Sequence, residues 1–277
     1  MISEVKLFKK GVVDTYFFPE PYLRPLLVHV FNNRSNLKEG IEIQNKGMIS
    51  CALSLFFKQN IPFKNDLVSK KEEKLEGLGL KDLDSKRVIV TQKIISIPIV
   101  CVVRGYFTQS FGTAFEKGKS WTQGLSIEED VQVNDKLNIP IFNLKTNGTS
   151  CSKEQAIKYL SLYLKEREIK DISPEDLYFM MRKSSILIYK EVSSFSERKD
   201  LIVLDTRLEF GLEKNTEGNF ELVWKGEGIT PTTTRFYDKI NRRILNEDPI
   251  KKSKNIDESV IEEVIHNYKT VFERLFA

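Results

Sequence analysis

Leu204-Asp205-Thr206-Arg207-Leu208-Glu209-Phe210-Gly211 is the stretch on which the reading of the fold turns. It continues the apolar, β-branched run Leu201-Ile202-Val203, so it reads as a strand. Side chains alternate along a strand, which places Asp205, Arg207 and Glu209 on one face. A turn signal at Lys214-Asn215-Thr216-Glu217-Gly218 leads into a second run, Asn219-Phe220-Glu221-Leu222-Val223-Trp224, and the two form a hairpin. Antiparallel pairing about that turn brings Glu227, on the partner strand, back towards the Asp205 end. Magnesium takes one or two carboxylates and completes its shell with water and phosphate oxygens, a role that Glu209 and Glu227 fit. On pattern alone, an exposed strand face with alternating charges is the commoner arrangement.

Two neighbouring pieces narrow the choice. Thr230-Pro231-Thr232-Thr233-Thr234-Arg235-Phe236 offers four hydroxyls and a guanidinium in a loop fixed by proline, which suits an oxyanion such as phosphate; a capped turn with a surface arginine explains it equally well. In Val102-Val103-Arg104-Gly105-Tyr106 a cation ends a buried strand, followed by the hydroxyl of Ser110. Arginine at such a place is uncommon unless paired or ligated, and a structural salt bridge is the rival to a ligand site.

Farther out, residues 5–31 read as strands punctuated by Pro19, Pro21 and Pro25, giving an antiparallel N-terminal sheet. Lys46 to Gln59 has helical spacing and stops before Pro62. Lys64 to Arg87 is rich in charge and poor in apolar residues, so it reads as a surface loop in which no chemistry is expected. Gly105, Gly112, Gly118 and Gly124 suggest strands joined by loops that approach a ligand. Ser152 with Gln155 forms a capping-box pattern, and Ser173-Pro174 opens a second helix running to about Ser196. Glu258 to Phe276 carries an apolar stripe at helical spacing and reads as a packing helix, with His266 at its surface.

Composition bounds the function classes. The chain has 277 residues, 40% hydrophobic and 30% charged, with 43 Lys and Arg against 39 Asp and Glu mixed along its length. That balance makes a nucleic-acid groove a weak reading, while a small anionic substrate needs only a few placed cations. The apolar run at Ile94–Val103 stops at Arg104 and is too short to span a bilayer, so no membrane partner is expected. Cys51, Cys101 and Cys151 have neither a disulfide framework nor metal-ligand spacing, and the N-terminus has no secretory pattern; a cytoplasmic location is expected.

Cys101-Val102-Val103-Arg104-Gly105-Tyr106, Ser110, the Leu204–Gly211 stretch, Ile229-Thr230-Pro231 and Thr234-Arg235-Phe236, in this order, resemble the SAICAR synthetase family, the phosphoribosylaminoimidazole-succinocarboxamide synthases. The resemblance covers most of residues 10–240. It implies an α+β, two-lobed, ATP-grasp-like fold with antiparallel sheets and packing helices: an N-terminal lobe, 1–92, covering ATP, and a C-terminal lobe, 93–277, with the ribotide and metal sites. By the same resemblance, Glu209 and Glu227 hold Mg2+, Asp205 and Arg207 are catalytic, and Arg104, Ser110, Lys145 and Arg235 surround the ribotide. Lys10, Gly11, Val12, Gln92, Lys93 and Ile94 meet the nucleotide. The implied reaction is ATP-dependent ligation of L-aspartate to carboxyaminoimidazole ribotide through an acyl phosphate, giving SAICAR, ADP and phosphate. Members are often homo-oligomers, and the apolar C-terminal helix could serve a subunit contact.

The chain departs from that pattern in three places. Gly11 sits one place late in the N-terminal hairpin, Glu227-Gly228 stands where an acidic pair is usual, and Thr146-Asn147-Gly148-Thr149-Ser150 replaces a longer stretch with a His-Asp signature. The rival readings are a paralogous amide ligase with another amine, a small-molecule kinase, and a nucleotide-binding module without catalysis.

Overall fold

The computed structural model describes residues 6–11, 13–18, 25–68, 84–119, 122, 127 and 130–277. Two antiparallel sheets organise the chain. The smaller holds β1 (Lys6–Lys9), β2 (Val13–Phe18), β3 (Leu26–Phe31) and β4 (Val88–Gln92) in that order. The larger holds β5 (Ile95–Tyr106), β6 (Lys136–Thr146), β7 (Thr149–Cys151), β8 (Leu201–Lys214), β9 (Phe220–Lys225), β10 (Thr234–Asp238) and β11 (Arg243–Leu245). Its order is β11-β10-β8-β5-β6-β7, with β9 also paired to β8.

Strand β8 fixes everything near the site. On one edge it pairs with β5, so that Arg104 faces Asp205 and Val102 faces Arg207. On the other it pairs with β10 through residues 201–206 and with β9 through residues 209–214. Two strands share one edge, and the connection between them, residues 226–233, must arch away at Arg207; Arg207 N donates to Thr233 O at 2.8 Å. This connection carries Glu227 and the threonine-rich loop.

Helices α1 (Lys46–Asn60), α2 (Gln109–Glu116), α3 (Lys153–Glu166), α4 (Pro174–Glu197), α5 (Asp248–Lys252) and α6 (Glu258–Phe276) complete an α+β fold. The capping box expected at Ser152 and Gln155 is present, and Ser173 caps α4 with proline in its first turn. Helix α4 lays Leu177, Met181, Ile188 and Val192 against Val203, Leu208 and Cys101 of the larger sheet. Such burial is worth about 25 cal/mol per Å² of apolar surface and dominates the stability of this layer.

Two motif glycines are explained by packing. A Cβ on Gly105 would lie 1.8 Å from the Tyr189 hydroxyl, and one on Gly211 would lie 2.5 Å from Cδ1 of Ile94. Both are places where another chain segment passes too close for a side chain.

Three expectations need correction. Residues 109–116 are a helix, not part of strands joined by loops. Thr108 enters in an extended conformation, and Phe111 is buried with its ring 5.3 Å from that of Phe107. That local aromatic packing outweighs the glycine signal. Strand β9 ends at Lys225, so Glu227 lies beyond it, after a turn in which Gly226 has φ 83°. Finally, Thr234, Arg235 and Phe236, expected in a proline-fixed loop, belong to strand β10. Helix α6 is the packing helix its apolar stripe suggests, with Val264, Tyr268, Val271 and Leu275 buried. Among the described residues no helix is long and apolar enough to cross a membrane.

Candidate functional site

Strand β8 runs beneath two clefts. Asp205 and Arg207 line one of about 790 Å³, together with Arg104, Ser110, Lys145 and Arg235. Glu209 lines the other, of about 370 Å³, which lies between the sheets under Thr15, Leu27 and His29 and also holds Glu227. The alternation of β8 thus deals one polar face to two adjoining cavities.

The larger cleft is cationic by construction. Arg104, Asp205 and Arg235 stand in a row across β5, β8 and β10, with the carboxylate in the middle. Asp205 forms an ion pair with Arg235, whose guanidinium also reaches Thr108 Oγ1 at 3.4 Å. Arg104 is buried and donates to Asn143 Oδ1, and Asn143 Nδ2 in turn donates to Ser150 Oγ at 3.2 Å. Burial, with Arg235 and Arg207 adding repulsion against the pull of Asp205, lowers the Arg104 pKa to about 10. Lys145 is likewise lowered, by burial first and then by Arg207 and Arg104. Burial works against the charge of Arg235 too, but attraction and a hydrogen bond from Asp205 win, and its pKa rises. Arg104, Lys145, Arg207, Arg235, Lys251 and Lys252 line this cleft against the carboxylates of Asp205, Glu247 and Asp248, leaving an excess of positive charge that an anionic ligand would neutralise. Ser110 sits in the first turn of α2, with Thr108 Oγ1 3.3 Å from its hydroxyl.

The smaller cleft is edged by carboxylates. Glu227 Oε1 accepts from Thr230 Oγ1 at 2.7 Å. Burial raises the Glu227 pKa, and the like charge of Glu209 adds to the rise. Lys225 Nζ lies 3.3 Å from Glu209 Oε2. Glu227, whose charged form is disfavoured chiefly by burial, and Glu209 edge the same cleft, and two carboxylates so placed are oxygen donors that suit a divalent cation, so the residues fit magnesium. Among the described residues there is no group of three or more His, Cys, Asp or Glu that could hold a metal, so the remaining ligands would have to be water and phosphate oxygens.

The nucleotide expectations divide. Gly11, Gln92 and Ile94 line this cleft. Lys10 is exposed, and Lys93 turns away into the adjoining hollow, its ammonium 4.4 Å from the centre of the Phe17 ring. The N–H groups of Gln92 and Lys93 are committed to Asp66 O and Pro25 O at 2.8 and 2.9 Å, so neither is offered to a ligand. Val12 lies outside the described residues.

Among the charged residues that sequence reasoning missed here, four form two buried ion pairs. Asp66 lines the smaller cleft although it lies in the segment from which no chemistry was expected. Its buried partner, Lys58, comes from the polar end of α1, and only the folded chain brings them together. The third and fourth are Glu247, which lines the larger cleft, and Lys46, which it meets at 2.9 Å with both side chains buried. Gly47 beside Lys46 was the available signal: a Cβ there would lie 2.4 Å from Phe31 O, marking a close approach of α1 to β3.

The fold and the clefts together define a class: an α+β protein with a small antiparallel sheet set against a larger one, a carboxylate-edged cleft between them, and a cationic cleft beside it along one strand. The chain belongs to the SAICAR synthetase family, whose sequence model matches residues 26–275. The match extends past residue 240, where the motif resemblance fades, and takes in Glu247 and α6. A curated relative from Corynebacterium urealyticum, named phosphoribosylaminoimidazole-succinocarboxamide synthase, is 31% identical over 199 residues, which cover 71% of this chain and 61% of that protein. The matched stretch therefore spans less than two thirds of that relative's length. Among solved structures, a SAICAR synthase from Saccharomyces cerevisiae complexed with SAICAR superposes with a TM-score of 0.77 at 20% identity, covering 99% of this chain and 98% of that one. A SAICAR synthetase in complex with ADP gives 0.68 at 18% identity, covering 98% and 97%. At these identities the structural likeness bears on the fold.

Proposed function

We propose that the protein is an ATP- and Mg2+-dependent ligase that joins L-aspartate to carboxyaminoimidazole ribotide. The observation that carries this reading is the placement of Asp205, Arg207 and Glu209 on one strand face shared between a cationic and a carboxylate-edged cleft. ATP lies in the smaller cleft, beneath the lobe of residues 1–92, with Gly11, Gln92 and Ile94 against it and its phosphates towards Glu209 and Glu227. Magnesium held by those two carboxylates neutralises charge on the transferred phosphoryl group. The ribotide lies in the larger cleft within residues 93–277, its phosphate and carboxylate met by Arg104, Lys145, Arg207, Arg235 and Ser110.

The work of these residues is positioning and charge neutralisation. A ribotide carboxylate oxygen attacks the γ-phosphorus and ADP leaves; the amine then attacks the acyl carbon, loses a proton, and phosphate leaves. Asp205 holds Arg235 in register, so that the guanidinium is presented in one orientation instead of sampling several.

A second reading, a ligase of the same chemistry with another amine, is favoured by one feature. Thr146–Ser150 is a tight turn, with Asn147 and Gly148 at φ 48° and 77°, and leaves no loop there to contact an amino acid. ADP release and product absorbance, measured with ATP, Mg2+ and carboxyaminoimidazole ribotide with and without L-aspartate, separate the two. Aspartate-dependent turnover lost in Glu209→Ala supports the first reading. Ribotide-dependent ADP release indifferent to aspartate supports the second, and absence of both defeats each.

A further inference from the structure

Residues 64–68 splice the two sheets together. Trp224 N donates to Lys64 O at 2.9 Å and Asp66 N to Trp224 O at 3.0 Å, which fastens the segment to β9. Gln92 N donates to Asp66 O at 2.8 Å and Val68 N to Val90 O at 3.2 Å, which fastens it to β4. Asp66 is the residue at which the two sets of bonds meet. Its side chain is buried, with one oxygen taken by the ammonium of Lys58 and the other accepting from Gly226 N at 3.3 Å.

Gly226 is the turn that ends β9 and delivers Glu227 into the cleft. Its φ of 83° is a conformation that side chains rarely adopt, and a Cβ there would stand 3.2 Å from Glu209 Oε2. The turn is thus both unusual in conformation and pressed against the other carboxylate. Lys58 passes beside the same connection: a Cβ on Gly228 would lie 3.5 Å from the Lys58 Cε.

We propose that Asp66 is a positioning residue: its carboxylate, neutralised by Lys58, holds the Gly226 amide and so sets the distance between Glu227 and Glu209, while its backbone ties that turn to Gln92 across the cleft. The proposal rests on the reading of the smaller cleft as the Mg2+–nucleotide site. A negative charge facing a backbone N–H makes a stronger hydrogen bond than a neutral amide does. Because one segment bonds to both sheets, a shift of the turn and a shift of the cleft roof are one movement.

The test compares the wild-type chain with Asp66→Asn and with the doubly substituted Lys58→Met/Asp66→Leu, which removes the buried pair together and leaves no lone charge. Hydrogen exchange at the Gly226 amide is read without ligand, and ADP binding is then titrated with Mg2+ by calorimetry. Both variants are expected to expose the Gly226 amide about tenfold more to exchange and to need about tenfold more Mg2+ for half-saturation, the loss of one charge-assisted hydrogen bond. Exchange at amides of the larger sheet remote from the turn, such as Val203 and Tyr237, should stay at the wild-type rate, which a general loss of structure would not permit. Unchanged Gly226 exchange, or unchanged Mg2+ dependence, in the folded double variant overturns the proposal. If the wild-type chain binds ADP without regard to Mg2+, the metal-site reading fails and the coupling to Mg2+ falls with it, while Gly226 exchange separately decides whether Asp66 anchors the turn.

Discussion

The Tyr268 hydroxyl donates to Glu247 Oε1 at 2.8 Å, and this bond joins the last helix to the entrance of the cationic cleft. The same carboxylate accepts from Ser35 Oγ at 2.8 Å and from Lys46 Nζ at 2.9 Å, and Tyr268 in turn meets Thr232 Oγ1 at 3.1 Å. Burial, reinforced by Glu247, raises the phenol's pKa well above its ordinary value, so the tyrosine remains a donor. One carboxylate therefore gathers α1, the 35–36 turn, α6 and the threonine loop. Glu247→Leu leaves the Lys46 ammonium buried without its counter-charge and should cost about 3–5 kcal/mol in denaturant unfolding. Lys46→Met added to it should recover much of that loss, and Tyr268→Phe alone should cost about 1.5–3 kcal/mol. A double variant no more stable than Glu247→Leu would show that the pair is not the origin of the effect.

Gly105→Ala tests the packing reading of the arginine motif. The new methyl would meet the Tyr189 hydroxyl, which donates to Val203 O at 2.8 Å, so either the tyrosine or β5 must move. Overpacking of this kind costs about 1–3 kcal/mol or more. A lower melting temperature, partly restored by adding Tyr189→Leu, is the expected result. A ligand-binding defect with unchanged melting would assign the glycine to the site instead.

What the sequence made legible were the features carried by local pattern. Strand β8, its hairpin and the helix caps at Ser152 and Ser173 follow from alternation and capping chemistry, which need no knowledge of distant residues. Arg104 was also reachable, because its charge is out of place at the end of a buried strand, and Asp205 follows from the alternation of β8, whereas Arg235 was read in a loop and stands in strand β10. Asp66, Lys58 and Glu247 were not, because each has an ordinary local sequence and acquires meaning only from a partner on another element. Residues 109–116 were misread for a related reason: glycine speaks for a loop locally, while the burial of Phe111 is a tertiary effect.

The pH dependence of anion binding should carry the mark of Lys145. Burial and the nearby Arg207 and Arg104 lower its pKa in the free protein, whereas a bound anion favours the charged form and raises it again. Binding therefore takes up a proton at pH values above the free-protein pKa, and affinity for an anion such as the proposed ribotide falls as pH rises through that value, below the ordinary lysine value of 10.5. Lys145→Arg keeps the charge and should extend binding to higher pH, whereas Lys145→Met should weaken it and flatten this limb. Calorimetric titration between neutral pH and pH 10 reads the difference; identical limbs in all three proteins would exclude Lys145.

Asp205→Asn separates holding an anion from aligning it. The substitution removes the negative charge between Arg104 and Arg235, so the electrostatic potential of the cleft rises and ground-state affinity for the proposed ribotide substrate should hold or increase. The ion pair that fixes the Arg235 guanidinium is lost at the same time. A misplacement of about 1 Å in a positioned group can cost about a hundredfold in rate, so kcat should fall by that order while KM for the ribotide does not rise. Steady-state kinetics of ADP release decide between the roles. If KM rises in proportion and kcat is kept, Asp205 contributes to binding alone; if neither changes, Arg235 is held by Thr108 and the backbone of β10 without help from the carboxylate.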